Sequence, residues 1–421
     1  MREFKAAALL LVVFGLSFSH IKSQSQTAPI HAPPDAAVVR AEVQEIEDSL
    51  SKIPDRGAAL FLLARRYAHL GELQKALALL KECIALDEGF DPADSPALQP
   101  LKSFPEFREL VEQVQRRYPP VHLAHVAFTV PEKDLFPEGL AVDWPKHVFY
   151  MGSMHRKKII RITEAGEISD FVKPDLYGLM PVGGVKVDPA DHSVWAATDP
   201  GENNRSELVH FDANGKLLER YSAPGPGPHD LNDLVLRHES EIYISDTSAH
   251  KAYRFDRWSH SFKALTFPRL ILYPNGITVS EDGNLLYVAD MFGVICIDLR
   301  NDSAREVGPG KGNTLAGIDG LYWYRNSLLG VQYGTGSYRI IRCHLSPDGH
   351  HVTSTEILEY RTPLVSFPTT GAISGEDFYF ISNTGIANLK DDKVIDPERL
   401  ESIHIAVVPL KEYCAQDSRQ F

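Results

Sequence analysis

The sequence predicts a mainly β chain: a six-bladed β-propeller preceded by a small α-helical module. Two observations carry that reading. From about Val121 onward, short apolar or alternating runs are separated by turn signals, and helical periodicity disappears. Within that region one phrase recurs six times at intervals of 43 to 51 residues: a polar or small residue, a short apolar strand, a turn and a second strand. A period of this size with several strands per unit is the signature of propeller blades, and six blades close on themselves without a long sheet edge. Parallel β-helices repeat at much shorter periods, and a sandwich has no reason to repeat one phrase six times.

The elements follow in chain order. Arg2 and Lys5 precede an apolar stretch from Ala6 to about Phe18, with small and polar residues after it. Residues 1–23 therefore read as a secretory signal, with an apolar run too short for a comfortable membrane span. No cysteine follows to take a lipid anchor. Export, to a secreted or periplasmic location with no stable membrane insertion after cleavage, is the expectation. Residues 24–35 are polar and contain proline, and read as a linker. Residues 36–119 turn helical, with apolar residues at helical spacing around Leu60, Leu63, Ala64 and Tyr67. The core of that stretch, Tyr-x-x-Leu-Gly-x-x-x-Lys-Ala-Leu, resembles a tetratricopeptide unit. In such a unit Gly71 permits the close helix turn and Ala76 lets the two helices approach. One unit is too few for a free-standing array, so the module is expected to lean on the rest of the protein, as a spacer or as a contact for a protein partner. "FPEFRELVEQVQRRY" reads as its closing helix. The propeller then runs over 121–413, with "VHLAHVAFTV" available as the outer strand that closes the last blade.

Composition narrows the function classes. The 421 residues are 43% hydrophobic and 24% charged, enough for a large core. A formal charge of −13 with no long basic run argues against nucleic acid as a partner. The four cysteines, Cys83, Cys296, Cys343 and Cys414, form no CxxC pair, which argues against a zinc knuckle or a thioredoxin-type site. Cys296 and Cys343 lie in strand-like runs and read as buried thiols, although export would permit a disulfide.

The first strand of each propeller blade lines the central channel, so the residue just before it sits near one mouth. The repeated phrase places Glu138, Gly183, Asn232, Asn275, Asp319 and Thr370 in that register. Four of them bring two carboxylates and two amides. A hard cation suits this set: Ca²⁺ takes six to eight oxygens, and two carboxylates balance its charge. Mg²⁺ and Mn²⁺ fit the same oxygens. Zn²⁺ ordinarily brings His or Cys, and the ring has neither, which leaves it last of the four. Asn-Gly and Asp-Gly are also common turn pairs. Here, however, the hairpin turns lie further on, as at Glu281-Asp282-Gly283-Asn284, and Glu138 is a poor turn former. Glu138, Asn232, Asn275 and Asp319 are therefore the expected metal ligands.

The blade starts "FPEGLAVD", "LNDLVL", "PNGITVSEDGNLLYVAD" and "GIDGLYW" resemble those of the gluconolactonase/regucalcin family (senescence-marker protein and luciferin-regenerating enzyme) and the related paraoxonases, over roughly 124–410. The resemblance implies a divalent metal in the channel, usually calcium, and hydrolysis of lactones or esters, with the same four residues as the metal shell. This chain departs from the pattern at the second blade. There the gluconolactonase-like enzymes tend to present Asn and the paraoxonases His, whereas this sequence has Val182-Gly183-Gly184. Strictosidine synthase relatives take a catalytic Glu from the last blade, where this chain has Thr369-Thr370, which disfavours amine-condensing chemistry.

Lactone hydrolysis needs a polarised carbonyl, an activated water and a proton acceptor. Asp319 is the first candidate for the acceptor and His229, in the Pro/Gly-rich loop before Asn232, the second. His155 is a further histidine within reach of a channel mouth. Asp230 and Asp233 read either as supporting groups or as solvated loop charges, and Tyr177, Tyr322 and Tyr333 as candidates to shape a pocket. No Gly-x-Ser-x-Gly elbow supports a serine hydrolase. The expectation is an exported metal-dependent hydrolase of lactones or esters. The alternative is a non-catalytic binding propeller with a structural calcium.

Overall fold

A computed structural model describes residues 36–50, 53, 55–200, 205–267, 271–390 and 392–411. The expected signal, the linker and Cys414 lie outside the described residues.

Six antiparallel sheets form six blades. Blade 1 runs Pro137–Asp143, Val148–Ser153, Ile159–Thr163 and Ile168–Val172, from channel to rim. Blade 2 begins at Val182–Val187, blade 3 at Leu231–Arg237, blade 4 at Ile277–Val279, blade 5 at Ile318–Tyr324 and blade 6 at Gly371–Ser374. The circle is closed by the stretch that precedes blade 1. His125–Val130 pairs with Ile403–Pro409 as the outer strand of blade 6, and Val121–His122 adds a fifth strand to blade 5. The two ends of the propeller segment thus share one sheet.

Strand alternation explains the core. Successive side chains point to opposite faces of a blade, and each face is covered by a neighbouring blade. Tyr150 packs with Val185 and Phe211 of blade 2, while its neighbours Phe149 and Met151 pack with Ile381 and Ile405 of blade 6. Equivalent apolar clusters lie between every consecutive pair of blades. The apolar runs lack strict alternation because both faces are buried.

The helices are α1 (Ala36–Ser49), α2 (Arg56–His69), α3 (Leu73–Ala85) and α4 (Pro105–Arg117). Asp55 caps α2, accepting from the Ala58 amide at 2.7 Å. Gly71, at φ +76°, makes the turn into α3, and Ala76 is fully buried. The module rests on blade 5. The Asp91 amide donates to Thr335 O at 2.8 Å, and its buried carboxylate accepts from Ser337 Oγ at 3.0 Å and Tyr360 Oη at 2.8 Å. The Thr314 hydroxyl donates to Asp55, and Met291 of blade 4 packs into the helical core. Cys83, Cys296 and Cys343 are buried free thiols.

Candidate functional site

The six register residues lie where the inner strands begin, and the ladder is irregular there. In blades 1, 2, 3 and 5 the pairing of the first two strands jumps from Pro137 to Leu140, Val182 to Val185, Leu231 to Leu234 and Ile318 to Leu321. Glu138, Gly183, Asn232 and Asp319 each sit in such a bulge, a device that re-aims a side chain. The following residue is glycine in five of the six blades. Gly276 shows why: a Cβ there would meet Asp319 O and Leu321 N of the next blade at 2.5 Å. The inner strands crowd together at the mouth, and glycine lets their backbones approach.

The ring side chains are buried, and two of them meet. Glu138, Asn232, Asn275, Asp319 and Thr370 are each 3–6% exposed. Asn275 Nδ2 donates to Asp319 Oδ1. Asn275 Oδ1 is buried and has no hydrogen-bond partner among the described residues. The Thr370 hydroxyl donates to the Glu138 carbonyl, so Thr370 is turned onto the backbone of blade 1. Among the described residues no three His, Cys, Asp or Glu side chains cluster as a metal site. The ring's donor set is two carboxylates and two amides.

The channel beneath is filled. Asp233 stands where the other blades have glycine, and its Oδ1 accepts from Lys186 Nζ of blade 2 at 2.8 Å. That ammonium also lies 5.7 Å from the Tyr322 ring of blade 5. Burial holds the Tyr322 hydroxyl well above its usual pKa, and the Asp233 carboxylate adds to this. Tyr322 Oη accepts from the Gly371 amide at 2.6 Å, so this tyrosine belongs to the channel packing.

Above the ring lies a cleft of about 2170 Å³ whose walls include Asn275, Tyr333 and Phe367 of the propeller and Phe61 and Arg65 of α2. Tyr333 is the one of the three tyrosines that shapes this cleft. Burial pushes its hydroxyl well above the usual range, and the Asp319 and Glu138 carboxylates add to it. The phenol therefore lies in the field of both ring carboxylates. Tyr177 is 39% exposed near the rim.

His229 is placed differently from a proton acceptor at the ring. Its Nδ1 donates to Asp246 Oδ2 at 2.7 Å and its Nε2 to Gly225 O at 3.3 Å. Both partners are acceptors, so the arrangement favours the imidazolium. The Asp246 hydrogen bond raises the pKa against the effect of burial. A base needs a lone pair, and both ring nitrogens are engaged. His229 instead ties the Pro/Gly loop to blade 3. His155 is likewise occupied, donating to Asp134 O at 3.0 Å.

One repeated device escaped sequence reasoning. The residue ending the second strand uses its side chain to hold the loop that enters the ring. Ser153 Oγ donates to Leu135 O at 2.6 Å. Asp246 accepts from the Asp230 amide at 2.9 Å, and Asp290 from the Leu272 amide at 3.1 Å. Gln332 Nε2 donates to Ala316 O at 2.6 Å. The signal was present in the phrase endings "YMGS", "YISD", "YVAD" and "GVQ".

No family model matches the sequence, and no curated protein matches it. Its structural neighbours include propeller enzymes. A gluconolactonase from Xanthomonas campestris aligns with 69% of this chain and 91% of its own length at 16% identity and a TM-score of 0.49. Luciferin-regenerating enzyme covers 67% of this chain and 94% of its own at 15% identity and 0.47. Virginiamycin B lyase from Staphylococcus aureus covers 66% and 97% at 15% identity and 0.47.

Proposed function

We propose that the chain is an exported, divalent-metal-dependent hydrolase of lactones or related esters, with Glu138, Asn232, Asn275 and Asp319 holding the cation, most simply Ca²⁺. The observation that carries this reading is the buried Asn275 Oδ1 without a hydrogen-bond partner, beside a carboxylate at the foot of a large cleft. An unmet buried acceptor is costly, and a hard cation satisfies it with the donor chemistry the ring offers.

A divalent cation bound there withdraws charge from a carbonyl oxygen and lowers the pKa of water. The chain supplies the rest. Asp319 accepts the proton of the attacking water, and the Asn275 amide orients its carboxylate. Gly183 brings no side chain to the second-blade position, and a Cβ there would already touch Asn232 O at 3.3 Å. The lining of Tyr333 and Phe367 gives the cleft an apolar wall for the body of an ester or lactone.

The test is hydrolysis of a panel of aldonolactones, aliphatic lactones and aryl esters by the mature protein with Ca²⁺, then with chelator, beside Asn275→Ala and Asp319→Ala. Chelator-sensitive turnover, with weakened metal binding in both variants by calorimetry, is expected. Full metal occupancy in both variants overturns the ring assignment. A bound metal without turnover overturns the hydrolase in favour of a binding propeller. Export is checked by the N-terminus of protein recovered outside the cytoplasm, which is expected to begin near residue 24.

A further inference from the structure

The α-helical module contributes two cationic side chains to the cleft, Arg65 and the exposed Lys102. Arg65 lines it from α2, and its Nε is buried with no hydrogen-bond partner among the described residues. The other guanidinium groups of the cleft are engaged: Arg361 Nε lies 3.5 Å from Asp91 and Arg399 Nε 3.2 Å from Asp396. Burial holds the Arg65 guanidinium down to about 10, and the neighbouring Arg66 charge adds to this. It remains a cation at neutral pH; the residue as a whole is half-buried, but its Nε is buried without a partner, which is costly in a protein that binds nothing there.

A continuous aromatic wall joins this cation to the ring. Tyr333, within the field of Asp319 and Glu138, lies 5.5 Å from Phe367, centroid to centroid, and Phe367 lies 5.6 Å from Tyr338. Tyr338 interacts electrostatically with Arg65; burial pushes its hydroxyl up to about 12, aided by the Asp94 carboxylate. Asp94 itself accepts from Ser337 Oγ at 3.0 Å. From the ring outward the cleft thus presents the Asn275 amide, with the Asp319 carboxylate hydrogen-bonded to it, then three aromatic rings, then a guanidinium.

We infer that Arg65 is a substrate-binding residue for a carboxylate, and that the cleft selects esters or lactones bearing that carboxylate at the end of an apolar or planar body remote from the reacting carbonyl. The inference rests on the hydrolase reading for the reacting end alone. At the other end, guanidinium geometry matches a carboxylate through two parallel hydrogen bonds, and the rings offer faces to the body between. The helices then have a function in the site: they complete the pocket that the propeller alone leaves open.

The experiment uses two matched esters, 4-acetoxybenzoate and its neutral isostere 4-acetoxybenzamide, with the full mature chain and Arg65→Gln. The expected result is a KM for the benzoate raised about 10- to 100-fold with kcat held, and an unchanged KM for the benzamide. Arg65→Lys, which keeps the charge without the fork, is expected to fall between. Calorimetric binding of 4-hydroxybenzoate to metal-loaded protein, weakened by the same factor in Arg65→Gln, reads the anion site without turnover. Equal KM changes for both esters, or 4-hydroxybenzoate binding unaltered in Arg65→Gln, overturns the inference. If neither ester is cleaved yet 4-hydroxybenzoate binding depends on Arg65, the anion site stands and the hydrolase reading falls.

Discussion

Gly276→Ala tests whether the geometry of the ring depends on the close approach of blades 4 and 5. The added methyl would lie 2.5 Å from Asp319 O and Leu321 N, and 2.7 Å from Leu321 Cβ. Ordinary contact begins near 3.4 Å, so the backbone of blade 5 must retreat by about 0.9 Å in a densely packed interior. Two of the three atoms are backbone in a paired strand, so a rotamer change gives no relief. Overpacking of this kind costs about 1–3 kcal/mol. Asp319 moves with its carbonyl, and metal–ligand distances tolerate only about 0.2 Å. Divalent-cation affinity is therefore expected to fall although every donor is kept. Gly183→Ala is the control in the same register, since its Cβ meets Asn232 O at 3.3 Å and Ala197 O at 3.7 Å. It is expected to stay within about 0.5 kcal/mol of wild type with Ca²⁺ affinity unchanged. Urea unfolding followed by tryptophan fluorescence reads the first quantity and titration calorimetry the second. A Gly276→Ala protein with the wild-type midpoint and wild-type Ca²⁺ affinity would refute the reasoning.

Lys186→Met leaves the Asp233 carboxylate, 1% exposed, without its ammonium. It is expected to cost about 3–5 kcal/mol, most of it recovered in Lys186→Met/Asp233→Asn, and a single variant as stable as wild type in urea sinks the pairing. For His229, whose folded pKa is raised above its ordinary 6.5 chiefly by the Asp246 hydrogen bond, the linked stability is fully present below about pH 6.5. It is lost as pH rises through the higher folded value. His229→Gln is expected to remove that slope, and parallel stability curves for wild type and variant from acid to alkaline pH contradict it. Asp91→Ala removes a buried acceptor of the Ser337 and Tyr360 hydroxyls. It is expected to cost about 1.5–3 kcal/mol and to raise hydrogen exchange over 56–85 but not in blades 1 to 3; uniform protection disproves the anchoring.

The blades were legible because each phrase obeys local chemistry: a turn, two apolar strands and a polar start, at a period that, with strands, belongs to propeller blades. The register followed, since the residue before an inner strand has one place to be in a propeller. Thr370 shows where register stops short of orientation, for its hydroxyl is turned onto the Glu138 carbonyl. The bulges were not legible, because a one-residue slip in pairing leaves no mark on an apolar run. His229 read as a loop histidine near the ring, and its engagement depends on Asp246, which lies at the end of the next strand. Asp233 read either as a supporting group or as a solvated loop charge, and its pairing with Lys186 was not legible, since an alternating strand says which side of a blade a residue faces and not what it meets there. The cleft was out of reach for a different reason. Its walls meet through contacts such as Asp91 to Tyr360, which are 269 residues apart in the chain.

That long-range contact bears on what the helices are. The four helices do not close their core by themselves, since it takes in Met291 from blade 4. The anchor is polar: Asp91, 0% exposed, is held by two hydroxyls with the Arg361 guanidinium beside it. A buried carboxylate is tolerated only where its partners are in place, so the docked position is strongly preferred over near alternatives that break those bonds. Gly336 tightens this further, because a Cβ there would sit 2.9 Å from Phe61 on α2. Phe61 and Arg65 are one helical turn apart on α2 and line the same cleft. Fixing Phe61 against blade 5 fixes Arg65 relative to Tyr338, and through the aromatic wall relative to Asn275. The proposed substrate pocket requires that kind of fixed separation between recognition group and reacting centre, and the docking of the helices, rather than the propeller alone, would set it.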